Sequence, residues 1–255
     1  MLESLAIILD EAAANATGIE QLSHAHDFSL ADAYEIQLLS IEQRLQRAEK
    51  LVGYKLGFTS KAKMVQMGVD DLIWGRLTDG MIIEEGGEIS LVDFVHPRVE
   101  PEICFLLKKP LSGVVTLLEA MSAVEAVAPA LEVIDSRYQD FKFSLEDVVA
   151  DNCSSSGFVV GPWHKPDMDL SNLGMIMRVN GRDAGFGSSA AILGHPARSL
   201  LSAARCLGEA GEELLPGQVL MAGAATEAIA LQPGQFIQLQ VDRMGFIGFS
   251  TKAGE

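Results

Sequence analysis

The run Arg98-Val99-Glu100-Pro101-Glu102-Ile103-Cys104-Phe105-Leu106-Leu107 is apolar enough to be a buried strand, yet it opens with two carboxylates two residues apart. On a strand, side chains at i and i+2 share a face, so Glu100 and Glu102 stand side by side. Like charges that close, against apolar surface, raise each other's pKa unless a cation lies between them. A divalent metal is the simplest such cation. An all-oxygen donor set suits magnesium or manganese, whose octahedral shells leave positions for water or substrate. Pro101 fits, because proline within a strand is confined to an edge, an end or a bulge. Alone, the tripeptide also suits a solvated strand end. Glu132 changes the balance: in Pro129-Ala130-Leu131-Glu132-Val133-Ile134-Asp135 another carboxylate sits inside an apolar run, where it needs a partner or a metal.

The chain has 255 residues, 48% of them apolar and 21% charged, as in an ordinary globular enzyme. We expect one folding unit, with a helical arm over 1–50 and a metal-binding catalytic part over 51–255. The net charge of −16 argues against a nucleic-acid or anionic-membrane surface, since phosphate binding needs concentrated Lys and Arg. Cys104, Cys153 and Cys206 are far apart with no CxxC spacing, which fits neither a disulfide framework nor a zinc knuckle and is consistent with a reducing cytoplasm. Met1 to Leu5 lacks the basic region of a secretory signal, and no apolar run is long enough to cross a bilayer.

In chain order, Leu5, Ile8, Leu9 and Ala12 have helical spacing over Leu2 to Thr17, and a second helix runs from a Ser29/Asp32 capping pair to Lys50. Leu51 to Phe58 reads as a strand. It carries Lys55 between Gly53 and Gly57, placed either to bind an anion or carbonyl or to face solvent from a half-buried strand. Thr59 and Ser60 are candidate N-caps for a helix over Lys61–Met67, whose exposed amides would accept an anion. Asp79-Gly80 is first of all a turn signal. Thr116 to Val127 has an amphipathic helical pattern, and Ser144 to Val149 reads as a short capped helix. Ala150 to Gly157 is a loop of small polar residues able to line a pocket, ahead of a strand over Phe158 to Val160. Asn180-Gly181 marks a β-hairpin, and Pro196 opens a helix whose neighbour His195 is expected to be structural. Val219 to Thr226 is a strand ending in small residues, the form of a backbone that must approach a ligand. The sum is a mixed α/β, β-rich fold without regular βαβ repeats. No GxGxxG, GxxxxGK[ST], GxSxG or HExxH occurs.

These residues carry a resemblance. Gly53-Tyr54-Lys55-Leu56-Gly57-Phe58-Thr59-Ser60, Pro97-Arg98-Val99-Glu100-Pro101-Glu102, Leu131-Glu132-Val133-Ile134-Asp135-Ser136-Arg137, Ala150-Asp151-Asn152-Cys153-Ser154-Ser155 and Gly223-Ala224-Ala225-Thr226 follow one another as in the 2-keto-4-pentenoate hydratase and 4-oxalocrotonate decarboxylase family of the fumarylacetoacetate hydrolase superfamily. The chain resembles that family over nearly its whole length, and residues 62–81 look more like its decarboxylase branch.

The resemblance implies a mixed β-roll or barrel enclosing Mg2+ or Mn2+ on Glu100, Glu102 and Glu132. It implies Lys55 at the oxo-carboxylate of a small 2-oxo dicarboxylate substrate, Asp79 as an acidic catalytic position, and Ser60, Ser155 and Thr226 as substrate contacts. The implied reaction is decarboxylation of 4-oxalocrotonate in the meta-cleavage pathway of aromatic catabolism, in complex with a companion hydratase. Hydration of 2-hydroxypenta-2,4-dienoate on the same site is the alternative, and a non-catalytic metal-binding scaffold is a third. Arg76, Lys61 and Arg137 are the candidates to orient a dianion.

Overall fold

The computed structural model describes residues 1–59, 64–65 and 71–254, so the helix expected over Lys61–Met67 lies outside the described residues apart from Met64 and Val65. The arm consists of α1 (Leu2–Ala14) and α2 (Leu30–Gln46), packed on each other. The Ser29 hydroxyl accepts from the Asp32 amide while the Asp32 carboxylate accepts from the Ser29 amide, so the expected capping box starts α2. The arm is bonded into the body. Buried Gln37 donates from Nε2 to Trp74 O (3.2 Å) and Val149 O (2.8 Å), and its Oε1 accepts from Arg76 Nη1 at 2.8 Å.

Twelve strands are described: β1 (Leu51–Gly57), β2 (Ile73–Thr78), β3 (Glu88–Ile89), β4 (Arg98–Leu107), β5 (Val124–Ile134), β6 (Ser155–Val160), β7 (Gly174–Val179), β8 (Arg182–Ser188), β9 (Val219–Met221), β10 (Ile229–Ala230), β11 (Phe236–Val241) and β12 (Gly245–Thr251). One sheet runs β2-β1-β9-β4-β5-β6, with β10 on the start of β4; the other runs β3-β12-β11-β7-β8. The first curls until Ile82, just beyond β2, bridges Phe158 of β6. It is buried on both faces. Odd-numbered residues of β4 and β5, such as Ile103, Phe105, Leu131 and Val133, share a core with Met175, Met177, Ile237, Leu239 and Phe249 of the second sheet. Even-numbered ones, Cys104, Ala128 and Ala130, face inside the curl with Met221 and Phe158.

The helix expected over Thr116–Val127 is a correction: α3 covers only Leu117–Ser122, and Val124 onward belongs to β5, where Val124 is paired with Leu107. Its valines are β-branched and pay less in a ladder than in a helix. Further along the described residues come α4 (Leu145–Ala150), with a Ser144/Asp147 capping box, and α5 (Ala197–Glu209), which follows Pro196. His195 Nδ1 accepts from the Ala197 amide at 3.1 Å, a structural role. At the hairpin tip Asn180 and Gly181 have φ 51° and 75°, as a type I′ turn requires.

Gly53 lets β1 lie against β9. A Cβ there would come 2.0 Å from Val219 O, a backbone atom that cannot step aside. Gly53→Ala is therefore expected to cost about 3 kcal/mol or more. The check is a denaturant titration with lowered midpoint and unchanged m-value; an unshifted midpoint would show that β9 is free to move.

Candidate metal centre and active site

Pairing register brings the acids together. Glu100 lies directly opposite Glu132 in the β4–β5 ladder, and Glu102 follows two residues on, opposite Ala130. Lys55 reaches the same face through another row: it is paired with Met221, Met221 with Cys104, and Cys104 with Ala128. Residues in register across neighbouring strands point to one side. The curl thus has a floor of Cys104, Met221, Ala128 and Ala130, with Lys55 and the three carboxylates beyond it.

Carboxylate oxygens of Glu100, Glu102 and Glu132 lie within 4.8 Å of one another. Each fully buried acid has one oxygen anchored. Glu102 Oε2 accepts from Gly223 N at 2.7 Å, and Glu132 Oε1 from Lys55 Nζ at 3.2 Å and Ser155 Oγ at 3.3 Å. The other oxygens, Glu102 Oε1 and Glu132 Oε2, are buried with no hydrogen-bond partner among the described residues. Burial, then Glu132 and Glu100, push the Glu102 carboxyl well above its ordinary value, against Lys55 and the Gly223 amide. Two partnerless buried oxygens in a cluster of three close carboxylates are what a divalent cation satisfies, and an all-oxygen set suits magnesium, manganese or calcium. The residues fit the ion.

Lys55 is the counter-charge. Its Nζ donates to Cys153 O at 3.1 Å as well as to Glu132. Burial alone would lower its pKa, but Glu132 foremost, with Glu100 and Glu102, raises it above an ordinary lysine. It is an ammonium at neutral pH. Cys153 is no nucleophile there: burial pushes its thiol up to about 12, and its Sγ lies 3.0 Å from Trp74 O.

A cavity of about 330 Å³ opens from this cluster. Its polar lining includes Lys55, Glu100, Thr59, Ser154, Thr226 and Glu227, and its apolar lining includes Phe58, Ile73, Phe141, Phe143 and Val148. Lys55 is the one basic side chain lining it among the described residues. Gly223, with φ +103°, brings its backbone so close that a Cβ would sit 2.1 Å from Thr59 Oγ1. The expectation that this stretch approaches the site as bare backbone is met at Glu102.

The structure places the other residues expected at the site at different distances from the cavity. Asp79 does not line the cavity: it sits four residues beyond Gly75, the β-partner of Lys55, and its Oδ1 accepts from Lys50 N at 2.8 Å, as a turn residue does. The Ser155 hydroxyl is on Glu132, so it holds a carboxylate rather than facing the cavity. Thr226 lines the cavity, with its hydroxyl donating to Glu227 O at 3.0 Å. Ser60 and Lys61 lie outside the described residues. Arg76 is engaged by Gln37, Glu212 and the Trp74 ring, and Arg137 by Asp151 and Ser156, so neither reaches a ligand in the cavity. Sequence reasoning missed the Cys153 carbonyl, Ser154 and the phenylalanine wall. The loop of small polar residues before β6 was the available signal for the first two.

No protein-family model matches the chain. Over 243 residues, 95% of each chain, it is 59% identical to a 4-oxalocrotonate decarboxylase from a Pseudomonas species. It is 36% identical over 243 residues, 93% of this chain and 92% of the other, to a 2-hydroxyhexa-2,4-dienoate hydratase from Comamonas testosteroni. Among solved structures, 4-oxalocrotonate decarboxylase from Pseudomonas putida G7, complexed with magnesium and adipate, superposes with a TM-score of 0.95 at 36% identity, covering 98% of this chain and 97% of that one. The chain belongs to the 4-oxalocrotonate decarboxylase and 2-keto-4-pentenoate hydratase family and has the mixed β-rich fold of the fumarylacetoacetate hydrolase superfamily.

Proposed function

We propose that the chain is a divalent-metal-dependent lyase that decarboxylates 4-oxalocrotonate (2-oxo-3-hexenedioate) to 2-hydroxypenta-2,4-dienoate and carbon dioxide, a step of the meta-cleavage pathway. The observation that carries this reading is the mixed lining of the cavity: Lys55 and Glu100, the members of the lysine–carboxylate cluster that reach it, and a wall of Phe58, Phe141, Phe143, Ile73 and Val148. An oxo-carboxylate head belongs at the first. A second carboxylate lying along the second gains from leaving as neutral carbon dioxide.

Magnesium or manganese on Glu100, Glu102 and Glu132 supplies Lewis acidity at the oxo-carboxylate head when bound. Lys55 supplies the rest. As the bond to the distal carboxylate breaks, its electron pair passes through C3=C4 and arrives on the 2-oxo oxygen. An ammonium has three protons. Glu132 and Cys153 O accept two of those on Lys55 Nζ, leaving one for that oxygen. This is oxyanion stabilisation by a preorganised donor in a closed site. The substrate is its own electron sink, so the mechanism needs no Schiff base.

The bonds from Gln37 to Trp74 O and Val149 O support one folding unit, and a scaffold reading would leave the cavity beside Lys55 without a purpose. Cys104, Cys153 and Cys206 are buried free thiols, which suits a reducing cytoplasm; among the described residues no helix is long and apolar enough to cross a membrane. A companion hydratase would take the dienol before it ketonises in water.

The test is to strip the protein of metal, add 4-oxalocrotonate with and without magnesium, and follow carbon dioxide and dienol together. Metal-dependent release of carbon dioxide is expected. Consumption of added 2-hydroxypenta-2,4-dienoate without any release would move the reaction to hydration, and metal-independent behaviour would end the proposal.

A further inference from the structure

We infer that Arg98 is a positioning residue: its guanidinium, stacked on the Phe141 ring, holds that ring as the part of the cavity wall against which the carbon chain of a 2-oxo acid lies. The inference rests on the 2-oxo-acid reading of the cavity given above. Arg98 is exposed, and its Cζ lies 4.4 Å from the centroid of the Phe141 ring. Among the described residues its guanidinium has neither an ion pair nor a hydrogen bond. In a chain with 35 Asp and Glu against 19 Lys and Arg, a guanidinium that settles on an aromatic face instead of a carboxylate is not what charge alone would arrange. Phe141 lines the cavity and Arg98 does not, so the ring stands between the ligand's space and an exposed cation.

The segment that carries Phe141 needs such a hold. Arg98 begins β4 on the even-numbered row that continues through Glu100 and Glu102, and it is paired with Ile134, the last residue of β5. Beyond Ile134 the chain comes back over Arg98 in the turn Gln139–Phe141. Asp140 and Phe141 both have φ 57°, which for a bulky side chain is an outlier that persists only where its surroundings hold it. The base of the turn is fixed from the arm side, where Gln139 N donates to Ile19 O at 2.9 Å and Ile19 N to Arg137 O at 2.8 Å. At the tip, Phe141 N donates to Tyr138 O at 3.3 Å and Lys142 N to Gln139 O at 3.2 Å, bonds that stay within the turn and do not reach the body. Side-chain contacts make that connection: Arg98 over the Phe141 ring, and the His96 ring with its centroid 5.0 Å away. The strand that carries two of the metal-site carboxylates thereby also fixes where this part of the wall stands.

The experiment titrates magnesium-loaded protein calorimetrically with 2-oxoadipate and with 2-oxohexanoate, in which a methyl group replaces the distal carboxylate. Magnesium affinity is measured separately. Arg98→Gln is expected to weaken both acids about 3- to 10-fold, because a ring released from its cation has to be ordered when the ligand binds. Arg98→Lys, whose ammonium can still stand on the ring, is expected to recover part of the loss. In a Phe141→Ala background Arg98→Gln is expected to cost nothing further, as a group that acts only through that ring requires. Magnesium affinity stays at the wild-type value throughout. A loss confined to 2-oxoadipate, or one that persists in the Phe141→Ala background, would mean that Arg98 acts by its charge on the distal carboxylate and overturns the positioning role. Wild-type affinity for both acids in Arg98→Gln overturns it too, as does a parallel loss of magnesium, which would place the effect in β4 at Glu100. A wild-type protein that binds magnesium but neither acid overturns the 2-oxo-acid reading itself, and the Arg98 assignment with it.

Discussion

Lys55→Met is expected to cut turnover of 4-oxalocrotonate about 100- to 1,000-fold, the usual consequence of deleting one preorganised donor at a developing oxyanion, while divalent-metal binding is kept or strengthened. The two effects have one cause. Lys55 is the cation 3.2 Å from Glu132 and is sensed by Glu100 and Glu102 as well. Removing it leaves three carboxylates with no counter-charge of the protein's own, so an added divalent cation gains attraction and loses a repelling neighbour. Without metal the same change is costly: stranding one member of a buried ion pair destabilises by about 3–5 kcal/mol. The thermal midpoint of stripped Lys55→Met should therefore fall well below wild type, and magnesium should recover more of it than in wild type. Isothermal titration with magnesium, melting curves with and without it, and single-turnover rates check the three parts. Wild-type turnover would remove Lys55 from the mechanism, and a variant unable to bind magnesium would mean that the lysine organises the ligand set instead.

Alternation along β4 and β5 was enough to place Glu100 and Glu102 on one face and to mark Glu132 as a charge needing company. That Glu132 stands directly across from Glu100 is a matter of register, set by the pairing of two whole strands, and no local pattern encodes it. Capping boxes at Ser29 and Ser144 were legible because they depend on side chains three residues apart. Lys55 could be suspected but not assigned, since its row passes through Met221, which is far away in sequence. The direction of the Ser155 hydroxyl, which is on Glu132, was not legible for a physical reason. The β5–β6 pairing shifts register between Val133 and Ile134, and a left-handed turn precedes it, so strand alternation does not run back into the polar loop. Asn152, Cys153 and Ser154 at positive φ contain no glycine, the residue by which such a turn is usually recognised. Asp79 could not be placed from sequence because an Asp-Gly pair after a strand looks alike as a turn and as a site; only the pairing of Lys55 with Gly75 shows how far it lies from Lys55, just past the end of β2.

Glu102→Gln separates the metal reading from every alternative, because it should make the stripped protein more stable and the working enzyme worse. Glu102 is fully buried; burial, Glu132 and Glu100 raise its carboxyl well above the ordinary value of 4.5. The folded, metal-free protein thus holds a proton there more tightly than the unfolded chain does. Linkage then fixes the sign: stability of the stripped protein falls as pH rises above 4.5, and the full penalty applies once the pH passes the raised folded value. Two unit charges about 5 Å apart repel by about 3 kcal/mol at an effective dielectric of 20. A neutral amide removes that repulsion while its oxygen can still accept from the Gly223 amide, so stripped Glu102→Gln should melt higher than stripped wild type at neutral pH and lose this part of the pH dependence. Magnesium should reverse the order, stabilising wild type strongly and the variant weakly, with carbon dioxide release falling in proportion to metal occupancy. If Glu102→Gln bound magnesium and turned over substrate like wild type, Glu102 would leave the ligand set; if it melted lower than wild type without metal, the partnerless oxygens would not be the source of strain that the geometry describes.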